Sequence, residues 1–340
     1  MIKLFEMFAG YGGASFSLKR AGIDFECVGV SEIEKDAMRC YTQNHKGYHY
    51  GDCTKINPND LPDFDLLTGG FPCQSFSMAG KGKGEQDTRG TLFYEIIRIA
   101  EVKKPRWMLL ENVKGLTTKN HKKTFETILS ELDRIGYSVD YKVLNSKDYG
   151  TPQDRKRVFF VCFRDSEDWE KWKGFPEKEE LKLFFNEILD NLPFREIPPF
   201  QFRNYGDKKR INGLKSVSDK CFHTLTTNRS HQNQYILNGN KTMCRLFEKQ
   251  EVFRLMGFKD GEINLNKISH NQAHKLAGNG WDINLVSKIF QKMFNVIVPH
   301  TNFPSEFSEN GKRHNISLKD NSNELSQISS NDETSLNNNI

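Results

Sequence analysis

Short apolar runs alternate with amphipathic stretches through the first half of the chain. The runs with the length of buried strands cover residues 2–8, 25–30, 64–69 and 106–112. Helical spacing of apolar positions covers 15–20, about 34–44, 91–104 and 122–135. Two further runs, 137–144 and 157–163, follow as a closing pair of strands. This alternation predicts an α/β fold, a parallel sheet covered by helices.

The second half of the chain changes character near residue 165, where clear periodicity is lost. Regular helical spacing returns at 249–258 and 272–294. From Pro299 the chain is rich in Asn and Ser, so we expect a disordered tail. The predicted organisation is a larger domain over 1–163 and 241–298, a smaller domain over 164–240 and a tail over 299–340.

Length and cysteine content predict a soluble protein of enzyme size. At 340 residues the chain can bury a sizeable core. No apolar run approaches the ~20 residues that span a bilayer, and the first residues do not resemble a cleavable leader. The seven cysteines are scattered and include no Cys-x-x-Cys pair, so neither a disulfide framework nor a zinc site is indicated. We expect a cytoplasmic protein with reduced thiols, without a metal and without a membrane partner.

The charge of the chain is compatible with a nucleic-acid partner but does not require one. The formal net charge is +5, and residues 299–340 hold six acids against three bases, which leaves +8 for residues 1–298. A basic body favours a polyanionic partner such as nucleic acid. Such a charge is also common on an ordinary solvated surface.

A glycine-rich turn follows the first strand. In the string FAGYGG, residues 8–13, three glycines stand between a strand and a helix and let a ligand approach the backbone. Glu32 ends the second strand, where its carboxylate can accept hydrogen bonds from ribose hydroxyls. Asp52, at another expected strand end, could hold an adenine amino group. The pattern favours an adenosyl cofactor; the alternative is a plain tight turn with a solvated Glu32.

Three polar motifs carry candidate chemistry. Cys73 follows an apolar strand among Gly, Pro and Ser, which favours a nucleophile over a buried structural cysteine. Glu111 ends another apolar strand, where burial would raise the pKa of the carboxyl and let it donate a proton. The alternative is an exposed Glu beside a capping Asn. Arg155 and Arg157 lie on one face of an extended segment, or they only protect a strand edge.

The chain resembles the bacterial and phage-type DNA cytosine-5 methyltransferases, the small single-chain kind, over roughly residues 2–298. FAGYGG, PCQSFS, ENV, QDRKR and AGNGW occur in the order and approximate spacing of that family. Each string alone is weak, but the ordered set is very specific. The resemblance implies a Rossmann-like class I S-adenosylmethionine-dependent methyltransferase sheet with a smaller target-recognition domain. It also implies a monomer that acts on double-stranded DNA, either beside a restriction endonuclease or as an orphan enzyme.

The resemblance also implies roles for single residues. Cys73 would add to C6 of a cytosine flipped out of the duplex, so that C5 can accept the methyl group of S-adenosylmethionine. Glu111 would hold the N3 and N4 edge and protonate N3, while Arg155 would bind O2 with Arg157 in support. The cofactor pocket would be lined by Phe8, Gly10, Tyr11, Gly12, Gly13, Glu32, Ile33, Asp52, Cys53, Pro72, Leu92 and Asn279. A mobile loop, residues 77–90, would close over DNA with Gln74, Ser77 and Arg89 near the backbone.

Two segments depart from the family pattern. Gly280 and Trp281 stand where the family commonly has a small residue and then Val or Pro. Trp281 fits either a place at the cofactor or a plain core role. The segment 222–228 resembles the ninth motif of the family without its leading Arg.

Two rival functions are compatible with the scaffold. One is an RNA cytosine-5 methyltransferase, of the kind that methylates tRNA, and Phe71 before Pro72 argues against it because that kind often has Pro-Pro-Cys. The other is a non-catalytic nucleic-acid-binding homologue, and the presence of both Cys73 and Glu111 argues against it.

Overall fold

The structure is a computed structural model that describes residues 1–72, 92–196, 215–227, 235–240 and 243–295. The strands are β1 (Ile2–Met7), β2 (Phe25–Ser31), β3 (Leu66–Gly70), β4 (Trp107–Val113), β5 (Ser138–Asn145), β6 (Gln153–Asp154), β7 (Lys156–Phe163), β8 (Arg195–Glu196), β9 (Phe222–His223), β10 (Tyr235–Leu237) and β11 (Met243–Leu246). The α-helices are α1 (Gly13–Arg20), α2 (Lys35–Asn44), α3 (Leu92–Lys103), α4 (Lys122–Arg134), α5 (Ser166–Lys171), α6 (Lys249–Arg254), α7 (His270–Asn279) and α8 (Ile283–Met293).

The central element is a six-stranded sheet with the strand order β2-β1-β3-β4-β7-β5. Strands β2, β1, β3 and β4 are parallel, and β7 pairs antiparallel with both β4 and β5. The predicted α/β fold and its closing strand pair are confirmed. Because parallel strands end at the same edge, the polar residues that follow β1, β2, β3 and β4 are gathered there.

The inner strands are mainly apolar because helices cover both faces of the sheet. Leu4 and Leu66 pack in one core cluster with α1 and α8. Their chain neighbours Phe5 and Leu67 point to the other face and pack with α3 and α4. Successive residues of a strand therefore fill two separate apolar layers, which hold the sheet rigid beneath its polar edge.

The stretch predicted to form a smaller domain contains short strands in its described part. β10, β11 and β8 form an antiparallel sheet, and β6 pairs with β9. Apolar residues of this stretch share a core cluster with α6 and α7. A buried ion pair between Arg245 and Glu251, 2.6 Å apart, links β11 to α6. The domain boundaries stay predictions, and the predicted tail lies outside the described residues.

Two expectations about local structure are wrong. The apolar spacing of 272–294 predicts one helix, but the chain breaks between α7 and α8. Gly280 follows α7 in an extended conformation, and a Cβ there would overlap the ring of Tyr11. Asp282 then caps α8 by accepting from two main-chain amides. Asp52 does not end a strand; it caps a short 3₁₀ turn by accepting from the amide of Thr54.

Candidate active site

The polar edge of the sheet borders a cleft of about 430 Å³, a volume typical of sites for small organic ligands. The predicted site residues that line it are Phe8, Gly10, Glu32, Pro72, Glu111, Arg155, Arg157 and Asn279. A narrow adjoining recess is lined by Tyr11 and Gly13 together with some of these residues. The structure thus brings seven of the twelve predicted cofactor residues together with Glu111 and the two predicted arginines.

The turn between β1 and α1 depends on left-handed backbone conformations. Gly10 and Gly12 have φ angles of 58° and 90°, which residues with a side chain rarely adopt. A Cβ at Gly12 would overlap the ring of His45, whereas a Cβ at Gly10 would have no atom within 4 Å. The backbone at Gly10 is therefore open toward the cleft, as close approach of a ligand requires.

Glu32 joins this turn to the end of β2. Its Oε2 accepts a hydrogen bond from the amide of Gly10 at 2.9 Å. Its Oε1 accepts from the amides of Ile33 and Glu34, each also at 2.9 Å. Three amides hold the carboxylate in one orientation at the cleft, and Oε2, which accepts from only one of them, has about one lone pair left for a ligand hydroxyl.

Glu111 and Arg157 form an ion pair in the cleft wall. Arg157 Nε lies 2.9 Å from Glu111 Oε1, and the two side chains are 15% and 10% exposed. The antiparallel register of β4 and β7 places Arg157 opposite Val113, so its side chain reaches back to Glu111. Burial raises the pKa of Glu111, while the charges of Arg157 and Arg155 and a hydrogen bond from Trp281 act in the opposite direction. A carboxyl whose pKa is raised can act as a proton donor.

Arg155 has a different set of partners. Its guanidinium is buried and donates to the main-chain oxygens of Leu225 at 3.1 Å, Gly278 at 3.1 Å and Gly280 at 2.7 Å. Three of its five N–H groups are thereby used to join the start of β7 to two distant segments. This geometry favours a structural task for Arg155 and leaves Arg157 as the arginine paired with Glu111.

Trp281 lies at the site as well as in the core. Its side chain is 8% exposed, and its ring contacts Phe159 edge-on. Its indole nitrogen and Glu111 Oε2 lie on the two sides of Gly70, and the indole lowers the pKa of Glu111. Its main-chain oxygen accepts from the hydroxyl of Tyr11. Trp281 is therefore part of the core, and a place at the cofactor stays a prediction.

Five predicted cofactor residues line neither the cleft nor the adjoining recess. Ile33 is 71% exposed, Cys53 is buried in the core, and Leu92 packs against the same cluster. The carboxylate of Asp52 accepts from the amide and hydroxyl of Thr54. Gly12 lies inward, against His45. A contact of these five residues with the cofactor stays a prediction.

The predicted nucleophile Cys73 lies outside the described residues, as do Gln74, Ser77 and Arg89. The described chain reaches the cleft at Phe71 and Pro72, which both line it. Asn112 donates from its side-chain amide to the main-chain oxygen of Phe71 at 2.9 Å. The described residues that precede Cys73 therefore end at the wall of the cleft, where Asn112 of β4 holds Phe71.

Two contacts across the rim of the cleft were not predicted from the sequence. Lys275 pairs with Glu34 at 2.5 Å, and Gln272 donates to Asp36 at 2.7 Å. They link α7 to the start of α2, and all four residues line the cleft. The three-residue spacing of Gln272 and Lys275 on one helix was the available signal. Within the described part of the chain, no three His, Cys, Asp or Glu side chains are grouped to hold a metal ion, and no helix could cross a membrane.

Comparisons with known proteins match nearly the whole described chain. A family model described as C-5 cytosine-specific DNA methylase matches residues 2–220. The Type II methyltransferase M.HhaI of Haemophilus parahaemolyticus is 39% identical over 315 residues, which cover 85% of this chain and 93% of that protein. M.NgoBI of Neisseria gonorrhoeae is 36% identical over 305 residues, covering 84% and 91%. The solved structure of S. pombe Dnmt2 methyltransferase aligns with a TM-score of 0.67 at 18% identity, covering 87% and 99%, and is similar in fold.

Proposed function

The chain belongs to the C-5 cytosine-specific DNA methylase family, and we propose that it methylates C5 of a flipped cytosine through a covalent bond between Cys73 and C6. A DNA cytosine-5 methyltransferase is also what the two Type II relatives indicate, since each covers more than four fifths of the chain. The observation that carries the proposal is the single cleft that holds Glu32 and the Glu111–Arg157 pair.

The described residues fit S-adenosylmethionine as the cofactor. The carboxylate of Glu32 is oriented to accept from ribose hydroxyls, and the open backbone at Gly10 leaves room for the rest of the molecule. Phe8 and Asn279 line the cleft on either side of this turn. When bound, the cofactor supplies the methyl group and leaves as S-adenosylhomocysteine. We assign its binding to these four residues, with Tyr11 and Gly13 at the adjoining recess.

The chemistry proposed for the protein side chains begins with Cys73. Its thiolate adds to C6, and Glu111 protonates N3 so that the electron pair becomes available at C5. After C5 is methylated, its proton passes to water, the proton on N3 returns to Glu111, and Cys73 leaves as a thiolate. We assign the contact with O2 to Arg157 rather than Arg155, because Arg155 already donates to three main-chain oxygens.

The proposed substrate is double-stranded DNA, with target recognition by the predicted smaller domain over 164–240. The relatives are named Type II methyltransferases, which supports a restriction-modification system with a companion endonuclease. The likeness to Dnmt2, at 18% identity, concerns the fold alone and does not favour the RNA alternative. We also propose that the protein is a monomer and that it is located in the cytoplasm.

The test is bisulfite sequencing of plasmid DNA from cells that express the wild-type chain, Cys73→Ser or Cys221→Ser. Cys221 is a half-buried cysteine that does not line the cleft, so it is the matched control. We expect protected cytosines in one short context with the wild type and Cys221→Ser, and none with Cys73→Ser. Retained protection in Cys73→Ser would refute the assignment of the nucleophile. Unprotected plasmid together with methylated cellular RNA would instead support the RNA alternative.

A further inference from the structure

The carboxyl of Glu111 has a different hydrogen-bond donor on each side. Arg157 Nε lies 2.9 Å from Oε1. On the other side, a Cβ at Gly70 would lie 3.2 Å from Glu111 Oε2 and 3.1 Å from the indole nitrogen of Trp281. Gly70 thus lies between the indole nitrogen and the carboxyl oxygen, and the indole lowers the pKa of Glu111. A methyl group at this position would be in tight contact with both groups.

Trp281 is held in this position by both its main chain and its ring. Its carbonyl oxygen accepts from the hydroxyl of Tyr11, and the preceding carbonyl, that of Gly280, accepts from Arg155 at 2.7 Å. A Cβ at Gly13 would lie 3.1 Å from the Cβ of Trp281, so α1 begins directly against it. The ring meets Phe159, which pairs with Glu111 in the register of β4 and β7. The indole N–H is therefore a donor with a defined direction.

From this geometry we infer that Trp281 is a positioning residue for Glu111, a role that rests on the proposed function of Glu111 as the group that binds and protonates the cytosine ring. Arg157 and Trp281 together fix the plane of the carboxyl, one donor on each oxygen. The remaining lone pairs then face the cleft, where N3 and the N4 amino group of the base would lie. An indole is a donor only and cannot accept a proton from Glu111. The proton of Glu111 is thus available to the base alone.

The test replaces the indole N–H and keeps the apolar ring. In Trp281→Phe, Glu111 loses a donor that favours its charged form, so the pKa of Glu111 is expected to rise. Trp172→Phe is the matched control, because the indole of Trp172 also donates to a carboxylate, Asp140 Oδ2 at 2.8 Å, but lies away from the cleft. The titration of Glu111 is followed by NMR of protein with ¹³C-labelled glutamate carboxyls, and the resonance is assigned with Glu111→Gln.

We expect Trp281→Phe to raise the titration midpoint of Glu111 by about half a unit to one unit, and to lower the single-turnover rate of methyl transfer about ten-fold. The pH above which the rate falls should move upward by the same amount. The dissociation constant of S-adenosylhomocysteine should change less than about three-fold, and Trp172→Phe should leave all of these quantities unchanged. Gly70→Ala, which places a methyl group between the two side chains, should reproduce the shift if Trp281→Phe does not fold.

Three results would overturn the inference. They are an unchanged titration of Glu111, an equal effect of Trp172→Phe, and a loss confined to cofactor affinity. The carboxyl titration needs no substrate, so it reports on the Trp281 contact even if the wild-type protein methylates no DNA. Absence of methylation with an intact shift would refute the proposed function and leave the contact standing.

Discussion

The Nε of Arg157 lies 2.9 Å from Oε1 of Glu111, where β7 passes the end of β4. Arg155, two positions earlier, donates instead to three main-chain oxygens from two distant segments. The same residue type therefore serves two tasks within one short motif. Arg157 orients a carboxyl at the cleft, whereas Arg155 holds the walls of the cleft together.

We predict that Arg157→Gln lowers the rate of methyl transfer about a hundred-fold or more, because a charged donor is lost both from Glu111 and from the position of cytosine O2. The free energy of unfolding should fall by no more than about 1–2 kcal/mol, since Glu111, whose pKa is raised by burial, can take up a proton when its partner is removed. Single-turnover kinetics with saturating cofactor and urea unfolding measure the two quantities.

Arg155→Gln is the matched comparison for this prediction. It removes a buried donor from three main-chain oxygens, which should lower the free energy of unfolding by about 3 kcal/mol or more. A stable Arg155→Gln protein with a selective loss of turnover, beside an unstable Arg157→Gln protein, would reverse the assignment of the two arginines.

The sequence predicts the sheet and the place of the site because both depend on local patterns. Apolar runs predict the strands, and Glu32 and Glu111 each end one of them, so a parallel sheet brings them to one edge. The separate tasks of Arg155 and Arg157 could not be predicted in this way. Both arginines have the same chemistry on the same segment, and the partners of Arg155 are 70 or more positions away along the chain.

The break between α7 and α8 could not be predicted from the apolar pattern either. The apolar positions of 272–294 keep a helical spacing across Gly280. Helix α7 ends before Gly280, where the ring of Tyr11 leaves no room for a side chain, and Tyr11 donates to the carbonyl oxygen of Trp281, 270 positions away in the chain. A contact between residues so far apart in the chain leaves no mark on local periodicity. The position of Trp281 beside Glu111 also depends on residues that are far apart in the chain. The role of Trp281 could therefore not be predicted from local patterns.

The carboxylate of Glu32 provides a test of the cofactor site. Glu32→Gln replaces an oxygen that accepts from main-chain amides by an NH₂ group that cannot, so the turn at Gly10 should lose its anchor. We predict that the dissociation constant of S-adenosylmethionine rises about ten- to hundred-fold, as measured by calorimetry.

Glu26→Gln is the matched control for this variant, since Glu26 is exposed on the same strand β2. It should leave the dissociation constant unchanged. Equal affinities for the wild type and Glu32→Gln would remove Glu32 from the cofactor site.

The stability of the chain should depend on pH through Glu6, which lies on β1 beneath the glycine turn. Its carboxyl is 2% exposed and accepts from the amide of Ser15 at 3.1 Å and from the hydroxyl of the same residue. Burial raises the pKa of Glu6 to about 7, against the lowering effect of the two hydrogen bonds, from an ordinary value of 4.5. The native state therefore retains a proton that the unfolded chain has already lost.

The contribution of Glu6 to stability is full below pH 4.5, where both states hold the proton, and it is lost as the pH rises through about 7. In Glu6→Gln the side chain is neutral at every pH, and its amide oxygen can still accept from Ser15. The variant should therefore gain on the wild type by up to about 1.4 kcal/mol per pH unit across this window, with no further gain above it. Urea unfolding of both proteins between pH 4.5 and 8.5 measures the difference, and a difference that does not vary with pH would show that Glu6 is ionised in the native protein.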